Sequence, residues 1–188
     1  MFYIAQGEGR NVTTGNIGGH QYSTRIELLP FGEFANKGDY KGSNLKLKPT
    51  PKLALGFAHD FNNNAAKIRS NQDAYMLNDT DFYTTNIAAF FMDAMLKHKG
   101  FSLRVEVTNK TAADALARNS DSTLTGGEVQ VGAGLNLQSD YLVSKTIVTS
   151  LSYTNIALDK NITGKGSENQ YTIGFSKYIS GHQLKVQT

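Results

Sequence analysis

Apolar and polar residues alternate along most of this chain with a period of two, the spacing of strands that keep one face on water and turn the other away from it. From Glu128 to Gln138, Val129, Val131, Ala133, Leu135 and Leu137 alternate with Gln130, Gly132, Gly134 and Asn136. Phe101, Leu103, Val105 and Val107 alternate with Ser102, Arg104, Glu106 and Thr108, and Leu53, Leu55, Phe57 and Phe61 with Lys52, Ala54, Gly56 and Asp60. Weaker versions run through Tyr22, Thr24, Ile26 and Leu28, through Ile147, Leu151 and Tyr153, through Tyr171, Ile173 and Phe175, and through Leu184 and Val186. The pattern predicts an all-β chain. One segment, 86–97, also fits a helix with Ile87, Phe90, Phe91, Ala94 and Met95 on one side. The strand reading sends Phe82, Ala88, Phe90, Met92, Ala94 and Leu96 one way and Asp93 and Lys97 the other. It is preferred because Phe101 follows after only the turn-like Lys97-His98-Lys99-Gly100, as in a tight hairpin.

The connections add direction to the strands. Short turns fall at 97–100, 143–146 and 180–182, and long polar loops at 62–80, 109–127 and 157–168. Such alternation is what an outer-membrane barrel shows, with short turns on its periplasmic side and long loops outside. The long connection 30–50 is an exception, because the alternation assigns it to the short-turn side. Within the second loop, Thr111 to Arg118 predicts one or two turns of helix capped by Thr111.

The two faces differ in the same sense. The apolar face carries Leu53, Leu55, Phe57, Phe101, Leu103, Val105, Val129, Val131, Leu135, Leu137, Tyr171, Ile173 and Phe175, expected to meet lipid. Phe61, Phe82, Phe101, Tyr141, Tyr153 and Tyr171 are expected near strand ends, as interfacial girdles. The other face carries Arg25, Glu27, Lys52, Asp60, Asp93, Lys97, Arg104, Glu106, Glu128 and Lys185, expected to line a pore. Ten charges in a dry interior are prohibitively costly, so this face must meet water. Five are basic and five acidic, so they supply no net anion-attracting field. A polar face also suits the solvent side of a soluble antiparallel sheet. The alternative is therefore a soluble or cell-surface β-sandwich that binds through its long polar loops.

Composition narrows the remaining chemistry. With 188 residues the chain suits a single domain. Its longest apolar run, Ile87 to Met92, falls far short of the roughly 20 residues of a spanning helix. The absence of Cys removes disulfides and thiolate chemistry, and a net charge of +3 is too mild and too evenly spread for nucleic acid. The start, Met-Phe-Tyr-Ile-Ala-Gln-Gly-Glu, lacks the basic and apolar regions of a signal peptide. Either the protein stays in the cytoplasm or the chain is a piece of something longer.

His20, His59, His98 and His182 have no spacing that makes a zinc site or a triad. Gly7-Glu-Gly-Arg-Asn and Gly164-Lys-Gly-Ser lack the rest of a phosphate-binding fingerprint and read as loop turns. Asp73, Asn78, Asp79 and Asp81 offer oxygen ligands for Ca²⁺, but without the central Gly and distal Glu of an EF-hand they read as a solvated acidic loop. No catalytic residue, metal or cofactor is assigned, and the chain is expected not to be an enzyme.

Three stretches carry a resemblance: Arg25-Ile-Glu-Leu-Leu-Pro-Phe-Gly32, Pro51-Lys-Leu-Ala-Leu-Gly56 and Glu168 to Gln187. The ending Gly181-His182-x-Leu184-Lys185-x-Gln187 is the most specific part. Together they resemble the C-terminal half of the phosphate-selective porin O and P family, over most of residues 20–188. The resemblance implies an antiparallel transmembrane β-barrel of outer-membrane porin type, sixteen-stranded and usually a homotrimer. In that setting it contacts lipid and lipopolysaccharide and passes anions or small hydrophilic solutes by diffusion. This chain would supply a partial barrel of about nine strands, a single domain forming the C-terminal portion of a longer chain in the bacterial outer membrane. The family's inward-folded constriction loop and arginine ladder belong to the half not represented, so the expectation extends to porin transport and not to phosphate preference.

Overall fold

A computed structural model of the chain describes residues 1–9, 12, 19–35, 43–45, 47, 49–180 and 183–188. Nine strands form one antiparallel sheet: β1 (Phe2–Gln6), β2 (His20–Leu28), β3 (Lys52–Ala65), β4 (Thr85–His98), β5 (Phe101–Ala112), β8 (Gly132–Ser144), β9 (Ile147–Leu158), β10 (Ser167–Ser180) and β11 (Leu184–Gln187). Each pairs with the next in that order, and β1 and β11 remain as the two edges, so the sheet is not closed into a barrel. A separate hairpin of β6 (Leu116–Arg118) and β7 (Leu124–Glu128) interrupts the meander between β5 and β8. Among the described residues the one helix, α1 (Lys160–Thr163), is a single turn between β9 and β10.

The segment that could have been helical, 86–97, is strand throughout. It is matched residue for residue with β3 on one side and β5 on the other, from Lys52↔Lys97 and Lys97↔Ser102 onward. Two-residue turns join β4 to β5 and β8 to β9. The connection between β2 and β3 lies at that same end of the sheet, where the alternation assigned it: Ser43 bonds Asp140 and Leu45 packs beside Leu142, Val148 and Tyr178. The long loops 66–84 and 113–131 and the α1 connection gather at the opposite end.

Two expectations fail here. Thr111 and Ala112 complete β5, and Leu116–Arg118 pairs as β6 with β7, so no helix forms at 111–118. The ladder partners of these residues outweigh the local helix preference of an Ala-rich run. The alternation from Glu128 to Val131 does not belong to β8 either, which begins at Gly132. Glu128 ends β7 opposite Leu116, while Val129 and Val131 are buried in a cluster with Ala65, Met76, Ile87, Ala115 and Ala117. Placing Glu128 on the pore wall and Val129 and Val131 against lipid is therefore corrected.

Candidate functional site

Directly opposed residues of an antiparallel ladder point to the same face, so the register sorts the side chains of the sheet into two sets. One row reads Glu27, Gly56, Asp93, Glu106, Asn136, Thr154 and Gln170 across seven strands. The next reads Arg25, Ala58, Phe91, Thr108, Gly134 and Ile156, and a third has Ala54, Met95, Arg104, Gln138, Ser152 and Thr172. The opposite face has rows such as Leu28, Leu55, Ala94, Val105, Leu137, Tyr153 and Tyr171. Nine charged positions expected together, Arg25, Glu27, Lys52, Asp60, Asp93, Lys97, Arg104, Glu106 and Lys185, share one face. Leu53, Leu55, Phe57, Phe101, Leu103, Val105, Leu135, Leu137, Tyr171, Ile173 and Phe175 share the other.

Phe101 and Tyr141 face each other at the short-turn end, whereas Tyr153 and Tyr171 stack at 5.0 Å within the apolar rows, and Phe82 sits in a loop against Tyr75.

The charged face is a network of pairs. Arg25 on β2 reaches over β3 to Asp93 on β4, with Nη1 donating to Oδ1 at 2.7 Å and Nη2 to Oδ2 at 3.0 Å. Gly56 makes this crossing possible: a Cβ there would lie 2.4 Å from Arg25 Nη2 and 2.5 Å from both Asp93 oxygens. Farther along, Arg104 donates to Glu106 on its own strand, Asn136 Nδ2 donates to Glu106 Oε2 at 2.8 Å, and the Thr154 hydroxyl donates to Asn136 Oδ1 at 3.1 Å. Asp60 accepts from Gln21 Nε2 at 2.8 and 2.9 Å and from the Ser23 hydroxyl. Lys52 donates to the Phe31 carbonyl at 2.6 Å, while Lys97, opposite it, is buried. Asp140 is buried and accepts from Ser43, Ser102 and Gln138.

Sequence reasoning left out three charged members of this face, Lys110, Asp140 and Glu168, each in register with a position already on it. Their period-two spacing from Glu106, Asn136 and Gln170 was the available signal. Among the described strand residues this face then holds six basic groups (Arg25, Lys52, Lys97, Arg104, Lys110 and Lys185) and six acidic ones (Glu27, Asp60, Asp93, Glu106, Asp140 and Glu168).

Two adjoining cavities of about 480 and 420 Å³ lie along the face, and Arg25, Ala58 and Phe91 line both. The long loops fold against the same face. Ile87, in register with Asn62 and Ala112, anchors the buried cluster that draws in Met76 from one loop and Ala115, Ala117, Val129 and Val131 from the other. Asn71 of the first loop donates to Gln21 at 2.8 Å. The two loops also latch to each other, since Asp79 accepts the Ser120 amide at 2.9 Å and the Ser120 hydroxyl, and Asn119 Oδ1 accepts the Asp79 amide at 3.1 Å. The Ser120 bonds hold the Asp79 carboxyl below the usual aspartate range.

Three of the four oxygen ligands weighed for Ca²⁺, Asp73, Asn78 and Asp79, are otherwise engaged. Asp73 accepts from its neighbour Ala74 and pairs with Arg69, Asn78 caps the turn at Thr80 and Asp81, and Asp79 holds Ser120. Among the described residues no group of three or more His, Asp or Glu is placed to hold a metal ion. His59 faces the apolar side opposite Phe90 while Asp60 faces the charged side, and His182 lies outside the described residues. Comparison with protein-family models, with curated proteins and with solved structures yields no match.

Proposed function

We propose that this sheet is part of the wall of an outer-membrane diffusion pore, with its charged face on the aqueous lumen and its apolar face on lipid. The observation that carries the reading is which face lacks a cover. Ile26, Met92, Val107, Leu151, Tyr171, Ile173 and Phe175 are exposed and lie on the face away from the charges, and both buried apolar clusters include residues of the charged side. Soluble monomers usually keep such contiguous apolar patches to a few hundred Å², and larger ones mark surfaces that something other than water covers. In a bilayer the same surface is the favourable one, provided every backbone group of the wall is paired. On this reading the edges β1 and β11 pair with further strands, and the loops 66–84 and 113–131 stand over one mouth of the lumen.

Solutes then pass along a wall that bonds water and small polar molecules through many modest contacts and holds none tightly. The balance of six basic and six acidic groups supports weak discrimination between ions. A full-length product that completes the wall is expected to give ohmic steps in planar bilayers and to show heat-modifiable mobility on gels. A tenfold KCl gradient should give a reversal potential well short of the about 59 mV of an ideally selective pore. A chain that is monodisperse without detergent and shows no heat-modifiable mobility refutes the proposal and returns the soluble β-domain with binding loops.

A further inference from the structure

Two exposed aromatic rings lie on the charged face among the described strand residues: Tyr3, on the edge strand β1, and Phe91, in the interior of the sheet. Phe91 is 41% exposed, sits between Ala58 and Thr108 in its row, and borders both cavities. A phenyl ring left open on a water-facing wall costs apolar hydration without return, unless something apolar lies on it part of the time. Small residues keep the space around it free: Ala58 and Gly134 occupy the same row, and Ala89 is two positions along β4. The next row supplies hydrogen-bonding groups, with Glu106, Asn136 and Thr154 already linked across three strands.

We propose that this ring and row form a subsite for a cyclic polyol, a mono- or disaccharide, stacked on Phe91. The inference rests on the diffusion-pore reading and names the solute class of that same wall. The argument is one of matching. The C–H face of a sugar ring carries partial positive charge and is apolar, which suits the negative face of a phenyl ring. Its hydroxyls exchange donors and acceptors with a carboxylate, an amide and a hydroxyl in one line. A small anion finds less beside the Glu106 row, because the cavity there has Arg25 as its one cation, already bidentate with Asp93, and two carboxylates, Asp93 and Glu106, in its lining. Cavities of about 420 and 480 Å³ lie in the range typical of small-ligand sites.

Two measurements test this, the first on a full-length product that completes the wall and the second on this chain. In planar bilayers, maltose should block the ion current reversibly and saturably. Phe91→Ala should raise the half-blocking concentration about fivefold, and Phe91→Tyr should leave it near that of the wild type. Saturation-transfer NMR on the chain in detergent micelles reads the same binding whether or not the chain conducts, and the maltose ring protons should lose their signal transfer in Phe91→Ala. Current that falls only with solution viscosity, alike in wild type and Phe91→Ala, overturns the subsite and leaves the pore. Block by inorganic phosphate at lower concentration than maltose, unchanged in Phe91→Ala, also overturns it. Maltose binding in micelles without any conductance supports the subsite and refutes the pore.

Discussion

Replacing Ile173 by Arg separates a lipid-facing sheet from a water-facing one, because the cost of the change depends almost wholly on what lies outside the apolar face. Ile173 is 63% exposed and stands opposite Leu151, itself 55% exposed, in a row that continues through Leu103, Leu96 and Leu53. If water covers this row, the arginine head is solvated where it stands, and stability changes by no more than about 0.5 kcal/mol. If hydrocarbon covers it, the charge must be desolvated or must pull water inward, and the cost rises to about 2–4 kcal/mol near the bilayer midplane. That range is roughly 30- to 900-fold in the folding equilibrium, well beyond the error of a denaturant titration. The neighbouring Thr172 faces the other way, opposite Ser152. Thr172→Arg should therefore cost about 0.5 kcal/mol or less in either environment. The assay is urea unfolding and refolding in phospholipid vesicles, followed by gel mobility or circular dichroism. If Ile173→Arg lies within 0.5 kcal/mol of the wild type in vesicles, or Thr172→Arg costs as much, the lipid assignment of this face is wrong.

Gly56→Ala should leave the strands in place and break the Arg25–Asp93 bridge, since the new methyl collides with two flexible side-chain ends and no backbone. Both partners are about one-third exposed, so a double-mutant cycle should give a coupling of only about 1 kcal/mol in the wild type and near zero in the Gly56→Ala background; an unchanged coupling refutes the crossing. Asp79 titrates below its ordinary 3.8 because it accepts from Ser120, so those bonds favour the latched loops above that value and are lost as pH falls through the lower folded value. The protection of the Ser120 amide, the intrinsic exchange rate at each pH over the observed one, should accordingly fall below about pH 3.8, and Asp79→Ala should lower it above that pH. Met76→Ala empties a fully buried site and should loosen the loop cluster by about 2–4 kcal/mol. Limited proteolysis within 66–84 and 113–131 should then become faster while the nine-stranded sheet stays resistant, and equal resistance in the variant counts against the cluster as the loops' anchor.

Much of the sheet was legible because a strand's period is exact in kind: once one residue's face is known, every second neighbour follows. That logic placed Leu53, Phe101, Leu135 and Ile173 on one face and Arg25, Asp93 and Arg104 on the other. It failed at Val129 and Val131 because parity cannot tell a strand from a loop whose apolar residues happen to alternate. The amide of Val129 bonds to the Ala115 carbonyl, and the carbonyl of Val131 accepts from Asp159, which holds both residues in the loop cluster. The single turn α1 was within reach of sequence reasoning, because Asp159 caps it through the Asn161 amide and Gly164 ends it at φ 65°, the pairing of an N-cap acid with a C-terminal glycine. The inward seating of the loops was not, since it depends on Ile87, which the strand pattern places among charged neighbours on the wet face.

That seating bears on the function. The two loops between them own Met76, Ala115, Ala117, Val129 and Val131, enough apolar surface to shield part of the greasy face had they folded that way. A soluble sheet gains most by such a cover, at about 25 cal/mol for each Å² removed from water. Instead these residues close around Ile87 on the charged side, next to the cavities that Phe91 borders. The apolar face is left bare from Ile26 to Phe175 while hydrophobic side chains are used to hold loops against the face that carries the charges. An arrangement of that kind lowers the free energy of the whole when something other than water already covers the bare face, which is the condition that the proposed lipid contact would meet.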